Sequence, residues 1–258
     1  MGTTFPDNLS EQARLERAKV LTGKLVDHTC ALIRLAENNA VVLYSDRLSA
    51  QIPRSRAANA FNDMQHSMQS YFLVRLSAIW DKGTADRVSI PTVHKLISTP
   101  EVKERVVRET YHYHATVEEP RRPEAAVDPE QQRFLSEHRE RMRKERGAYE
   151  SERVGRWFAA VDRVVPKVEQ TYLAAALRPF RDGFLAHNLR GEAVNKGNPV
   201  KFRRGHEMRL LKLTIYIVDR LHLALNGASF DWEGARRQAR RNANELWHSC
   251  RFDLPPGR

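Results

Sequence analysis

Apolar residues recur along most of the chain at spacings of three and four, the period of a helix that buries one face. After Ser10, a good N-cap, they fall at Ala13, Leu15, Ala18, Val20, Leu21, Leu25, Val26, Leu32, Ile33 and Leu35, and the period holds to about Leu43. Pro53 breaks the pattern. A second stripe runs from about Ser55 through Phe61, Met64, Met68, Tyr71, Phe72, Leu76, Ile79 and Trp80, with the aromatic positions read as core. Gly83, within Asp81-Lys82-Gly83-Thr84, is predicted to end that helix in a left-handed turn. Ser89, with Pro91 in the following turn, predicts a short helix over Val93, Leu96 and Ile97. Pro100-Glu101 then opens another that reaches about Tyr113.

Residues 116–129 hold Pro120, Pro123 and Pro129 among charges and read as an exposed linker. Residues 130–152 are crowded with Arg, Lys and Glu. Opposite charges three and four apart support a helix there, one that projects into solvent or covers another chain. Apolar periodicity returns from Trp157 to Leu177, where Pro166 and Pro179 are each expected to start or kink a helix. A polar loop follows over residues 191–205, then a strong helix over 207–226 stopped by Gly227, and a basic helix over 232–250. With little strand signal and no repeat of fixed period, these helices predict an all-α bundle with a charged helical excursion. The expected division is N-terminal bundle helices at 8–115, linker and excursion at 116–155, and C-terminal helices of the same bundle at 156–250.

Composition narrows the function classes. The 258 residues carry a formal net charge of +11, a field that draws polyanions and raises their encounter rate. The richest apolar stretch, 210–218, is interrupted by Lys212 and is too short to cross a bilayer, and the first residues lack the pattern of a secretory signal. Cys30 and Cys250 lie far apart in helical contexts and are expected as apolar side chains rather than a bridge or a metal pair. A reducing cytoplasm is the expected setting. There is no Gly-rich phosphate loop, no His-Glu-x-x-His pattern and no Ser or Cys nucleophile constellation, which disfavours common NTPases, zinc hydrolases and dinucleotide oxidoreductases. His112 and His114, in Tyr111-His112-Tyr113-His114, stand two apart and would face away from each other on a helix, so no metal is expected there.

Chemistry concentrates in Arg181-Asp182-Gly183-Phe184-Leu185-Ala186-His187, an arginine and a histidine with five residues between them. Metal-free RNA cleavage needs a base for the ribose 2′-hydroxyl proton and an acid for the leaving oxygen. Histidine suits both, since its pKa of about 6.5 keeps each form available near neutrality. Arginine's planar fork fits phosphoryl oxygens bidentately. On an ideal helix six positions advance roughly 600°, which leaves Arg181 and His187 about 120° apart. Three arrangements reconcile that angle with one site: a helix that begins inside the motif, an arginine that wraps back, or two chains that pool their residues. The plain structural alternative is an ion-paired helix end with His187 capping carbonyls.

The motif resembles the Arg–His signature of the HEPN superfamily. The segment Tyr71-Phe72-Leu73-Val74-Arg75-Leu76-Ser77-Ala78-Ile79-Trp80-Asp81-Lys82, with Ser89-Ile90 and Leu96 beyond it, is similar to the abortive-infection, AbiU-like branch, and the resemblance spans roughly residues 10–225. It implies a helical bundle that dimerises around the motif and a metal-independent ribonuclease needing no cofactor. It assigns His187 as acid or base, Arg181 as phosphate clamp and Asp182 as the group that orients one of them. Asn188 beside the motif, Lys196 in the polar loop, and Lys201, Arg203 and Arg204 are candidate RNA contacts; Arg236, Arg237, Arg240 and Arg241 form a further basic stretch that either meets phosphates or is a solvated face. The expectation is an endoribonuclease acting as a toxin or phage-defence effector, a homodimer with RNA as substrate and an antitoxin or other protein as possible partner. Two rival readings are a noncatalytic HEPN-like module that binds RNA, nucleotide or protein, and an interaction protein that docks through residues 130–152.

Overall fold

A computed structural model describes residues 5–52, 54–117, 128–171, 177 and 205–253. Over these the chain is a bundle of eight helices with no strand: α1 (Glu11–Tyr44), α2 (Asp46–Gln51), α3 (Arg56–Ile79), α4 (Ile90–Leu96), α5 (Pro100–Thr116), α6 (Pro129–Gln170), α7 (His206–Asn226) and α8 (Trp232–Ser249). Among the described residues no helix is long and apolar enough to cross a membrane.

Local chemistry sets the starts. The Ser10, Ser55 and Ser89 hydroxyls accept from the backbone N–H three residues on, and so satisfy donors that a helix start leaves orphaned. Ser45 does the same for α2, a short helix that the periodicity did not mark. The ends depend more on packing. α3 stops at Trp80 and not through a left-handed Gly83, whose backbone φ is not positive. Glycine is needed at 83 because a Cβ there would lie 2.7 Å from the Pro91 carbonyl oxygen; this close approach also lets Lys95 donate to the Gly83 carbonyl at 2.7 Å.

Helix α1 is central and contacts α3, α4, α5, α7 and α8. Its Leu15, Leu25, Val26 and Leu32 are buried together with Phe72, Leu76 and Ile79 of α3, Val93 and Leu96 of α4, and Leu210, Ile217, Val218 and Leu221 of α7. Of the expected aromatic stripe, Phe72 and Trp80 join this core, whereas Tyr71 is 50% exposed with Arg75 over its ring. Among the described residues Trp80 is the largest fully buried side chain, and its indole N–H donates to Thr214 Oγ1 at 2.8 Å, tying the end of α3 to α7.

The charged residues 130–152 and the apolar positions from Trp157 to Val168 form one continuous helix, α6, which crosses position 155 without a break. Residues 129–146 are exposed or half-exposed; the first buried position is Gly147, where a Cβ would sit 2.9 Å from the Tyr111 carbonyl oxygen of α5. Pro166 lies inside α6 and does not end it. An interior proline costs about 3 kcal/mol, but Phe158, Val161, Val165 and Val168 around it are all buried. At roughly 1.5–3 kcal/mol each, their burial outweighs the lost hydrogen bond.

Two predictions follow from this packing. Trp80→Phe should lower stability by about 1–2 kcal/mol, because the ring stays buried but the Thr214 hydroxyl loses its donor; Trp80→Ala should cost about 3–5 kcal/mol. Urea unfolding of the two variants checks the order, and equal losses would mean that the hydrogen bond contributes nothing. Acidification should also destabilise the protein. Burial lowers the pKa of His28, helped by the charge of Arg75, and burial lowers that of His222 against the pull of Asp219. The unfolded chain therefore binds more protons at these sites, so their contribution is fully present above about pH 6.5 and is lost as pH falls through the lowered folded values. Thermal melts between pH 8 and 5 should show that slope, flattened in a His28→Gln variant; an unchanged slope would remove His28 from the account.

Candidate functional site

The expected site residues Arg181, Asp182, His187, Asn188, Lys196, Lys201, Arg203 and Arg204 all lie outside the described residues. What the structure describes is the frame on either side. α6 closes with Thr171, whose N–H and hydroxyl both donate to the Val168 carbonyl, at 3.0 and 2.7 Å. Leu177, four positions before Arg181, is buried in the main core. On the far side Gly205 has a left-handed backbone, φ 91°, and its N–H donates at 3.0 Å to the buried carboxylate of Glu207 in the first turn of α7. The flanking helices α6 and α7 pack on each other, so the motif-bearing stretch joins two neighbours in the bundle.

Among the described residues, polar chemistry gathers at two other places. His94 of α4 and Lys103 of α5 share one carboxylate of α6: His94 Nε2 is 3.1 Å from Asp162 Oδ1, and Lys103 Nζ is 2.5 Å from Oδ2. One acid thereby pins three helices. On the other side, Glu37 of α1 accepts from Arg236 Nε at 2.8 Å and from Arg240 Nε at 3.0 Å, one arginine on each oxygen. Burial alone would raise the Glu37 pKa, but the hydrogen bonds and charges of the two arginines outweigh it and hold the carboxyl below its usual value. The rings of Tyr111 and His112, and of Tyr113 and His114, meet edge to edge, and no group of three metal-ligating side chains occurs among the described residues. Cys30 and Cys250 are free and partly buried.

The HEPN family described as AbiU2 matches residues 17–246. The chain belongs to the AbiU2 family. The family thus spans nearly all of the bundle, from the second turn of α1 into the last turn of α8, and includes both the Arg181–His187 motif and the Glu37 cluster. This AbiU2-family member is accordingly an abortive-infection protein of HEPN type, the branch that residues 71–82 and the motif resemble. No curated protein and no solved structure matches the chain.

The sequence reading missed the role of Glu37. An isolated glutamate next to Ala36 in a helix looks like any exposed acid, and only the docking of α8 on α1 buries it. A faint signal exists: Ala239 and Ala243, both buried, lie four apart on a helix otherwise crowded with arginine, which marks a face narrow enough for close approach to another helix. Glu37→Ala should destabilise the fold by about 1–3 kcal/mol, below the cost of a fully buried ion pair because both arginine ends reach water. Urea unfolding checks this, and a wild-type midpoint would show that α8 is held by packing alone. Glu37's contribution is present above the usual glutamate pKa and fades as pH falls through its lowered folded value.

Proposed function

We propose that this protein is a metal-independent endoribonuclease that cleaves RNA phosphodiesters as the toxin or effector of an abortive-infection response in the cytoplasm. The observation that carries this reading is the Arg181–His187 pair lying inside a HEPN family match that extends over residues 17–246. The net charge of +11 suits a polyanionic substrate.

In this reading His187 removes the proton from a ribose 2′-hydroxyl or protonates the departing 5′-oxygen. The 2′-oxygen attacks phosphorus, the 5′-oxygen leaves, and a 2′,3′-cyclic phosphate remains. Arg181 holds the phosphoryl oxygens through two N–H donors while charge builds on them. Asp182 orients one of the two by a hydrogen bond. Asn188, Lys196, Lys201, Arg203 and Arg204 hold the RNA beside the reacting bond. The family resemblance implies a homodimer in which each chain completes the other's site, one of the three arrangements that reconcile the offset of about 120° between Arg181 and His187 on an ideal helix. A toxin of this kind is held in check by an antitoxin or another protein partner.

His187→Ala should lower RNA cleavage in EDTA by at least about 100-fold while leaving the helical circular dichroism unchanged. Arg181→Lys should lower it about tenfold or more, since an ammonium cannot reproduce the bidentate fork. Cleavage of labelled RNA by purified variants checks both. Full activity in His187→Ala would remove that residue from the site, and a folded wild type that binds RNA without cutting it would identify a noncatalytic binding module instead.

A further inference from the structure

The structure assigns a phosphate-binding clamp to the junction of α1 and α8, built from Arg236 and Arg240 and held by Glu37; we propose that it grips backbone phosphates of single-stranded RNA. Each arginine donates its Nε–H to the carboxylate, and among the described residues the terminal amino groups of both make no further hydrogen bond. Glu37 is buried, with 7% of its side chain exposed, whereas Arg236 is 40% and Arg240 58% exposed. A buried anion therefore fixes the inner edge of two guanidinium planes and leaves their outer N–H groups toward solvent. Two cations face the one buried carboxylate, and Glu233 in the first turn of the same helix adds a second negative charge that acts on Arg240.

The geometry behind the clamp is rigid. Ala239 and Ala243 are buried where α8 meets α1, and the Trp247 indole N–H donates to Asn38 Oδ1 at 3.0 Å, next to Glu37 in sequence. Arg236 and Arg240 stand one helical turn apart, so their forks lie side by side along α8. Orientation is what separates such a pair from an ordinary solvated basic face: a phosphate meets forks whose freedom is already reduced, and arginine's planar donors match its oxygens two at a time. The neighbouring Arg237 and Arg241 provide the contrast. They are 73% and 74% exposed and are paired with exposed acids, Asp231 at 3.9 Å and Glu245 at 2.8 Å, so nothing buried aims them.

The choice of RNA as the phosphate source rests on the ribonuclease reading above, whereas the clamp's chemistry is independent of it. The test uses the full-length protein and a labelled uridine oligonucleotide of roughly 20 residues, long enough for a typical single-strand site. The oligonucleotide carries 2′-O-methyl groups, so it binds but lacks the nucleophile for cleavage. Arg236→Lys/Arg240→Lys keeps both charges and removes both forks, and should weaken binding at least fivefold. Arg237→Lys/Arg241→Lys should stay within twofold of wild type. Arg236→Ala/Arg240→Ala should also lower the slope of log affinity against log salt by about 1.4, the value for two single-strand phosphate contacts. Arg240→Lys alone, at an exposed position, gives the same direction should the double variant fold poorly. Equal binding by the fork-less and control pairs, or no binding by wild type at low salt, overturns the clamp. Inorganic phosphate at matched ionic strength should leave the RNA bound; displacement by phosphate alone overturns RNA backbone as the ligand. Loss of binding in the fork-less pair with no cleavage of unmodified RNA by wild type would keep the clamp and reject the nuclease, and the reverse result would do the opposite.

Discussion

Helix α1 has to satisfy five neighbours at once, and that constraint organises the molecule. At 34 residues it is about 51 Å long, and α3, α4, α5, α7 and α8 all lean on it. A helix so surrounded cannot keep a purely polar face, and the polar groups it carries inward gain by finding partners there, although among the described residues Thr22 Oγ1 and Asn39 Oδ1 have none. Thr29 turns its hydroxyl onto the Leu25 carbonyl of its own helix, and Asn39 donates to Gln69 of α3. Glu37 meets two arginines of α8. The same requirement that makes α1 the axis of the core thus creates a buried carboxylate with two arginine partners on its flank.

The all-α bundle was legible in the sequence wherever local chemistry decides the outcome. Serine caps at 10, 55 and 89 and the apolar period after each mark helices whose starts need no distant partner. What depends on tertiary contact was not legible. Gly83 looked like a left-handed stop, yet its smallness serves the approach of α4's Pro91. Pro166 looked like a start or a kink, and no helix starts there: buried valines on both sides carry α6 through it. Tyr71 has the spacing of a core residue and faces solvent, because the core beneath α3 is filled by Phe72 and Leu76. The motif is the opposite case: a short string of residue types led to the right family, while the placement of its side chains belongs to the stretch outside the described residues.

The proposed function divides between two groups of residues. The Arg181–His187 motif supplies an acid–base group and a cation for the reacting phosphate in the proposed reaction. Around α1 and α8, a buried carboxylate aims two further guanidinium forks outward. Phosphate contacts of that second kind set position and register without reading sequence. A nuclease built this way would gain affinity from backbone contacts far along the chain from its motif, and its cleavage preference would come from elsewhere.

The most direct test of the ribonuclease account is the identity of the ends it leaves. Purified wild-type protein would be incubated with unmodified RNA in EDTA, and the fragments resolved by mass spectrometry. Attack by the ribose 2′-oxygen with histidine acting on protons predicts 2′,3′-cyclic phosphate on one fragment and a 5′-hydroxyl on the other. Fragments ending in 3′-hydroxyl and 5′-phosphate would mean that water and not the ribose attacks, and would contradict the mechanism assigned to His187 and Arg181.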